Sequence, residues 1–143
     1  MKEIEVVKSN ENYTIGNLGE FKDLRDYKYQ HTLLDIPIPG KVFISEKLNT
    51  TSVEISFQVL GAGKEIPFDH RHNENEEVYI VLKGKGEFIV DDETTEVKEG
   101  SIVRIAPPAK RRWKNNSDDD LLVMVVQGAE GLLNKFTVTD GRM

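Results

Sequence analysis

From residue 41 onward the chain is a succession of short runs rich in Val, Ile, Phe, Tyr and Thr, each closed by turn residues. The runs are KVFISEK (41–47), SVEISFQVL (52–60), EEVYIVLK (76–83), GEFIVDD (86–92), TTEVKEG (94–100), SIVRIA (101–106), KRRWKN (110–115), LLVMVVQ (121–127) and KFTVTD (135–140). IPG, GAG, KGKG, DDE, KEG, PPA and NNSDDD punctuate them. β-Branched and aromatic residues suit a pleated, half-buried surface, and no helical period runs through the chain after residue 35. The spacing predicts an all-β sandwich or barrel. Only NLGEFKDLRDY (17–27) has the makings of a short helix.

The parity of the runs sharpens this. VYIVL and LLVMVV are apolar at both parities, as strands covered on both faces are. VEISFQV instead alternates, setting Glu54, Ser56 and Gln58 against Val53, Ile55, Phe57 and Val59. If the apolar set packs on a second layer, Gln58 looks into a barrel cavity. Residues 1–49 carry few such runs and are expected to be an extension packed on the barrel or on a partner, with the barrel proper at 50–143.

At 143 residues the chain suits one domain, and with no cysteine it has neither disulfides nor thiolate ligands. Any metal must use nitrogen and oxygen donors. The first residues lack the apolar run of a secretory signal and no window is long and apolar enough to span a bilayer, so a soluble, cytoplasmic protein with no membrane partner is expected. A net charge of −6 repels phosphate polymers and argues against nucleic acid. The local exception, KRRWK at 110–114, is read as a solvated strand with one packed aromatic.

The chemistry concentrates in HRHNENEE. His70 and His72 are two residues apart, so on a strand both imidazoles leave one face. The chain then turns, and Glu77 opens the next strand, where its carboxylate can return to the same point. Two imidazoles and a carboxylate form a three-ligand set with open positions, suited to Fe, Mn, Ni, Co or Zn as divalent ions. The same residues also read as solvated polar groups on a strand edge, and spacing alone does not choose.

At this point the chain resembles the cupins. Their first motif, Gly, five residues, His-x-His, three or four residues, Glu, six residues, Gly, is met by His70, His72, Glu77 and Gly84, with Gly63 one residue too far ahead. The second, Gly, five residues, Pro-x-Gly, two residues, His, three residues, Asn, is met loosely by GSIVRIAPPAKRRWKNN: Gly100 opens it, Pro107 is one residue late, Ala109 replaces the glycine and Asn116 closes it. Arg112 takes the histidine position. The resemblance covers about residues 50–127.

What the resemblance implies is a double-stranded β-helix, a small barrel of two antiparallel sheets with its site inside the mouth and a homodimer as the usual assembly. His70, His72 and Glu77 become three of four family ligands. Arg112 cannot be the fourth, because guanidinium stays protonated and only donates. Two roles follow for it: a buried ion pair with Glu77, or a bidentate receptor for a small anionic molecule, reinforced by Lys110 and Lys114, with Arg111 and Trp113 facing the other way. Gln58, Tyr79 and Gln127 are candidate wall residues, and His31 is a remote substitute ligand. Three classes of function stay open: a metal-dependent oxygenase or sugar-phosphate isomerase, a non-catalytic binding module for a sugar or carboxylate, and a structural barrel with a vestigial pocket.

Overall fold

The computed structural model describes residues 1–133 and 137–143. The strands are β1 (Glu5–Ser9), β2 (Thr14–Asn17), β3 (Lys28–Tyr29), β4 (Ile38–Pro39), β5 (Lys41–Phe43), β6 (Glu54–Leu60), β7 (Asn75–Lys83), β8 (Lys85–Val90), β9 (Glu93–Lys98), β10 (Ile102–Ile105), β11 (Arg111–Lys114) and β12 (Leu121–Ala129). One α-helical turn, α1 (Ser45–Leu48), interrupts the expected run at 41–47. The helix expected within 17–27 is a 3-10 helix, Phe21–Asp26. Of the strand expected at 135–140, the first two residues lie outside the described residues and Thr137–Asp140 forms a 3-10 turn.

Two antiparallel sheets make the barrel. The larger has the order β10-β7-β12-β6-β5, the smaller β11-β8-β9. They are stitched by bridges that lie outside the regular ladders, Glu65 opposite Lys114 and His70 opposite Arg111. Two connections show why the chain turns where it does. Asp91 and Asp92 both have positive φ, the paired left-handed residues that a two-residue hairpin between Val90 and Glu93 requires. Gly84, at φ +86°, leaves no room for a side chain, since a Cβ there would fall 2.2 Å from the Asp120 carbonyl oxygen.

The larger sheet is covered on both faces, as its double-parity apolar runs require. Its inner face carries Tyr79, Val81, Val123 and Val125, which pack with Phe88, Val97, Ile105, Trp113 and Leu121 in the barrel core. Trp113, expected in an outer layer, belongs to this interior and sits edge-on to Phe88. The outer face carries Val42, Phe57, Val59, Leu82 and Leu122, and Ile4, Leu18, Leu24 and Tyr27 of the N-terminal segment close over it with Ile44 and Leu48. Each large apolar side chain buried this way contributes about 1.5–3 kcal/mol. β5 pairs with β6, so part of residues 1–49 is built into the barrel sheet itself. Among the described residues no helix is long and apolar enough to cross a membrane.

The cover predicts a mutational contrast. Leu24 is 0% exposed, and Leu24→Ala is expected to cost about 2–5 kcal/mol in urea unfolding. Leu33, 85% exposed, changed in the same way should move stability by no more than about 0.5 kcal/mol.

Candidate functional site

β7 places Glu77, Tyr79 and Val81 on the barrel interior, and the segment before it brings His70 and His72 back over Glu77. Backbone bonds fix that segment: His70 and Arg111 exchange both N–H···O bonds at 3.0 Å, and the His72 amide donates to the Pro107 carbonyl at 2.9 Å. The expected trio forms, with donor atoms of His70, His72 and Glu77 all within 4.8 Å of one another. His72 Nε2 lies 3.1 Å and His70 Nε2 3.8 Å from Glu77 Oε1. Tyr79, expected as a wall residue, joins them, its hydroxyl donating to Glu77 Oε1 at 2.8 Å.

Arg112 is not in the site. It points outward, with Nε 3.2 Å from Asp69 and Nη1 3.6 Å from Glu65, and its side chain is 37% exposed. Lys110 and Lys114 are displaced with it, Lys114 pairing with Glu87. The guanidinium inside is that of Arg111, 1% exposed, whose Nη1 donates to Glu77 Oε1 at 3.3 Å and Nη2 to the Ala106 carbonyl at 2.7 Å. The cause is register. Residues directly opposite in an antiparallel pair share a face, so the residue facing His70 must be inward and its successor outward. Trp113, two residues on, returns to the interior.

Gln58 is buried on the inner face of β6, as is Ser56. Gln127 lies directly across from Glu77, and its Oε1 accepts from Asn75 Nδ2 at 3.0 Å. His31 stays with the N-terminal segment, its Nδ1 accepting from the Leu33 amide, and does not join the cluster. Two interior residues escaped the sequence reading, Arg111 and Lys41. For Arg111 the signal was present in Trp113: on a four-residue strand the Trp marks the apolar face, and Arg111 shares its parity.

The electrostatics centre on Glu77. Burial pushes its carboxyl up, but contacts from His70, His72 and Tyr79, with the imidazole charge of His72, outweigh this and hold it well below the usual carboxylate range. Tyr79 is driven the other way by burial, then by the charge and hydrogen bond of Glu77, against a smaller opposing effect of Arg111. It therefore remains a protonated donor.

The residues fit a metal ion in their donor chemistry. His72 Nε2 is buried 3.1 Å from Glu77 Oε1 without a well-directed hydrogen bond, and donor atoms of all three residues gather within 4.8 Å, an arrangement a cation would complete. Metals of the first transition row bind nitrogen and oxygen at about 2.0–2.2 Å, a spacing that small rotations of these side chains reach. Arg111 donates only, so it supplies no ligand, and water or substrate would complete the coordination.

Arg111→Met strands a buried carboxylate and is expected to destabilise the metal-free protein by about 3–5 kcal/mol. Arg112→Gln removes only exposed ion pairs and should cost about 1 kcal/mol or less. Parallel chemical denaturation of the two variants checks the assignment; the reverse order would restore Arg112 to the interior.

The cupin domain profile matches residues 56–127, which span both sheets of the barrel and the cluster. A cupin protein from Bacteroides fragilis is 34% identical, with a TM-score of 0.69 over 81% of this chain and 96% of that one. An uncharacterized protein of Aquifex aeolicus is 34% identical over 55% of this chain, which spans 64% of that relative's length. A protein of Acidithiobacillus ferrooxidans, described provisionally as a sugar phosphate isomerase, shares the fold with a TM-score of 0.56 at 21% identity, covering 62% of this chain and 57% of that one. The double-stranded β-helix read from the sequence is thereby the fold of this chain, and the chain belongs to the cupin family.

Proposed function

We propose that this cupin holds one divalent transition metal on His70, His72 and Glu77 and binds a small anionic molecule in the same interior. The observation that carries the metal is the gathering of donor atoms of His70, His72 and Glu77 within 4.8 Å of one another, with His72 Nε2 buried beside the carboxylate. Bound there, such an ion supplies Lewis acidity toward ligand oxygens. The rest falls to the chain's own groups. Tyr79 and Arg111 both engage Oε1 of Glu77, fixing the rotamer of the carboxylate, while no described residue makes a hydrogen bond or ion pair with Oε2. Half-exposed His70 and His72 leave the cluster open to solvent, as a ligand site needs.

Binding, rather than a particular reaction, is the function this geometry supports best. The family hosts unrelated activities on one barrel, so the fold does not choose a reaction. One observation favours a second reading, a metal-free binding module: Arg111 already compensates Glu77, so the carboxylate does not need an ion to be stable.

Metal analysis of protein purified without a histidine tag separates the two. Wild type is expected to retain close to one equivalent of a divalent transition metal and His72→Ala close to none, while Arg112→Gln behaves as wild type. Equal, near-zero metal in all three would remove the metal and leave the binding module.

A further inference from the structure

Register across the larger sheet places one more cation in the barrel. Lys41 lies opposite Gln58, Gln58 opposite Val123, and Val123 opposite Val81. Val81 shares the inner face with Tyr79 and Glu77, so the whole row, Lys41 included, faces the interior. The neighbouring row, Phe43, Ser56, Val125 and Tyr79, faces the same way. Val42, between the two inward residues of β5, packs instead with the outer cluster. The Lys41 ammonium lies 5.0 Å from the centre of the Phe43 ring and 6.0 Å from that of the Tyr29 ring.

This ammonium has no partner among the described residues: no hydrogen bond is made by it and no carboxylate lies within 4.0 Å. The other charged groups on the inner face are committed. Glu77 is held by Arg111, and Glu54 by the Ser45 hydroxyl and amide. Glu46 lines a groove that reaches Lys41 from the sheet edge, together with Met1, Ile4, Tyr29 and Phe43, and makes no ion pair with it. Burial depresses the Lys41 pKa and the more distant charge of Glu77 partly restores it, so the half-buried group lies within the field of the site. A cation taken partly out of water without a partner is stabilised when an anion completes it.

We infer that Lys41 is the residue that receives the anionic group of the ligand, a carboxylate or a phosphate, with Gln58 beside it as a neutral hydrogen-bonding neighbour. The inference rests on the reading of the barrel interior as an anion site and is independent of the metal. It gives to Lys41 the part that motif counting gave to Arg112. The rings of Tyr29 and Phe43 flank the ammonium and lower the local dielectric, which strengthens a charge-assisted hydrogen bond to an incoming oxyanion.

The test is a titration of metal-free protein with acetate, malonate and inorganic phosphate, followed by amide NMR shifts, on wild type, Lys41→Met, Lys41→Arg and Arg112→Gln. At least one anion is expected to give saturable shifts at Phe43, Ser56 and Gln58. Lys41→Met should weaken that anion by about tenfold or more, whereas Lys41→Arg and Arg112→Gln should stay within about threefold of wild type. Undiminished binding in Lys41→Met would overturn the inference, and so would the absence of saturable shifts at those inner-face residues in wild type. Should Lys41→Met fail to fold, retained binding in Arg112→Gln with loss in Lys41→Gln decides the matter, and loss in Arg112→Gln alone overturns it. Metal content measured on wild-type protein as purified, before the metal is stripped, keeps the readings apart. Anion binding through Lys41 in protein that carried no metal as purified sinks only the metal, and metal carried as purified with Lys41-independent anion binding sinks only this inference.

Discussion

A single buried carboxylate organises the interior of this barrel. Taking Glu77 out of water is expensive, and the chain compensates by directing a guanidinium, a phenol and an imidazole to one oxygen. Each of those groups depends on a different part of the fold. Tyr79 is on the same strand two residues later, Arg111 comes from the opposite sheet, and His72 from the returning segment fastened to Pro107. The cluster can form only if both sheets close in one register, so the cost of the charge becomes a reason for that register.

The same dependence explains what the sequence made legible and what it did not. Strand positions followed from local composition, and the two-sided covering of the larger sheet followed from VYIVL and LLVMVV, because burial on both faces leaves no polar parity to read. His70, His72 and Glu77 were recoverable because they lie close together in the sequence, at the entry to a single strand. Arg111 is hidden because counting the second motif from the late Pro107 lands on Arg112; counting from Gly100 lands on Arg111, whose inward face is dictated by His70 on a distant segment. A one-residue slip exchanges every side chain between the faces of a strand. Here it exchanged the two arginines, and with them Trp113.

The N-terminal half was opaque for a different reason. Ile4, Leu24, Tyr27, Val42, Ile44 and Leu48 are spread over short, irregular pieces, and their apolar character has no period of its own. They are matched to the outer face of a sheet formed much later in the chain. The alternation of VEISFQV announced that something must cover Phe57 and Val59, yet it could not say which segment would. Lys41 stayed hidden on the same account. A lysine between Gly40 and a β-branched residue reads as a strand end in water, and only the pairing of β5 with β6 turns it inward.

The charge of the whole is a poor guide to the charge that a small molecule meets inside. The chain carries a net charge of −6, which taken alone would discourage any anionic ligand. Screening limits that field to about 8 Å at physiological ionic strength, so the exterior acts as a weak, distant repulsion once a small ion is at the mouth. Inside, two acids and two bases balance: Arg111 pairs with Glu77, Ser45 holds Glu54 without neutralising it, and Lys41 makes no ion pair. The unpaired ammonium sits where solvent is partly excluded and the effective dielectric is lower, so it acts more strongly than one charge among many at the surface. A metal on the imidazoles would add to it in the same sense. Long polyanions would meet the acidic exterior over many contacts at once, whereas the small anion proposed above would meet mainly the lysine, so size as well as charge would enter its selection.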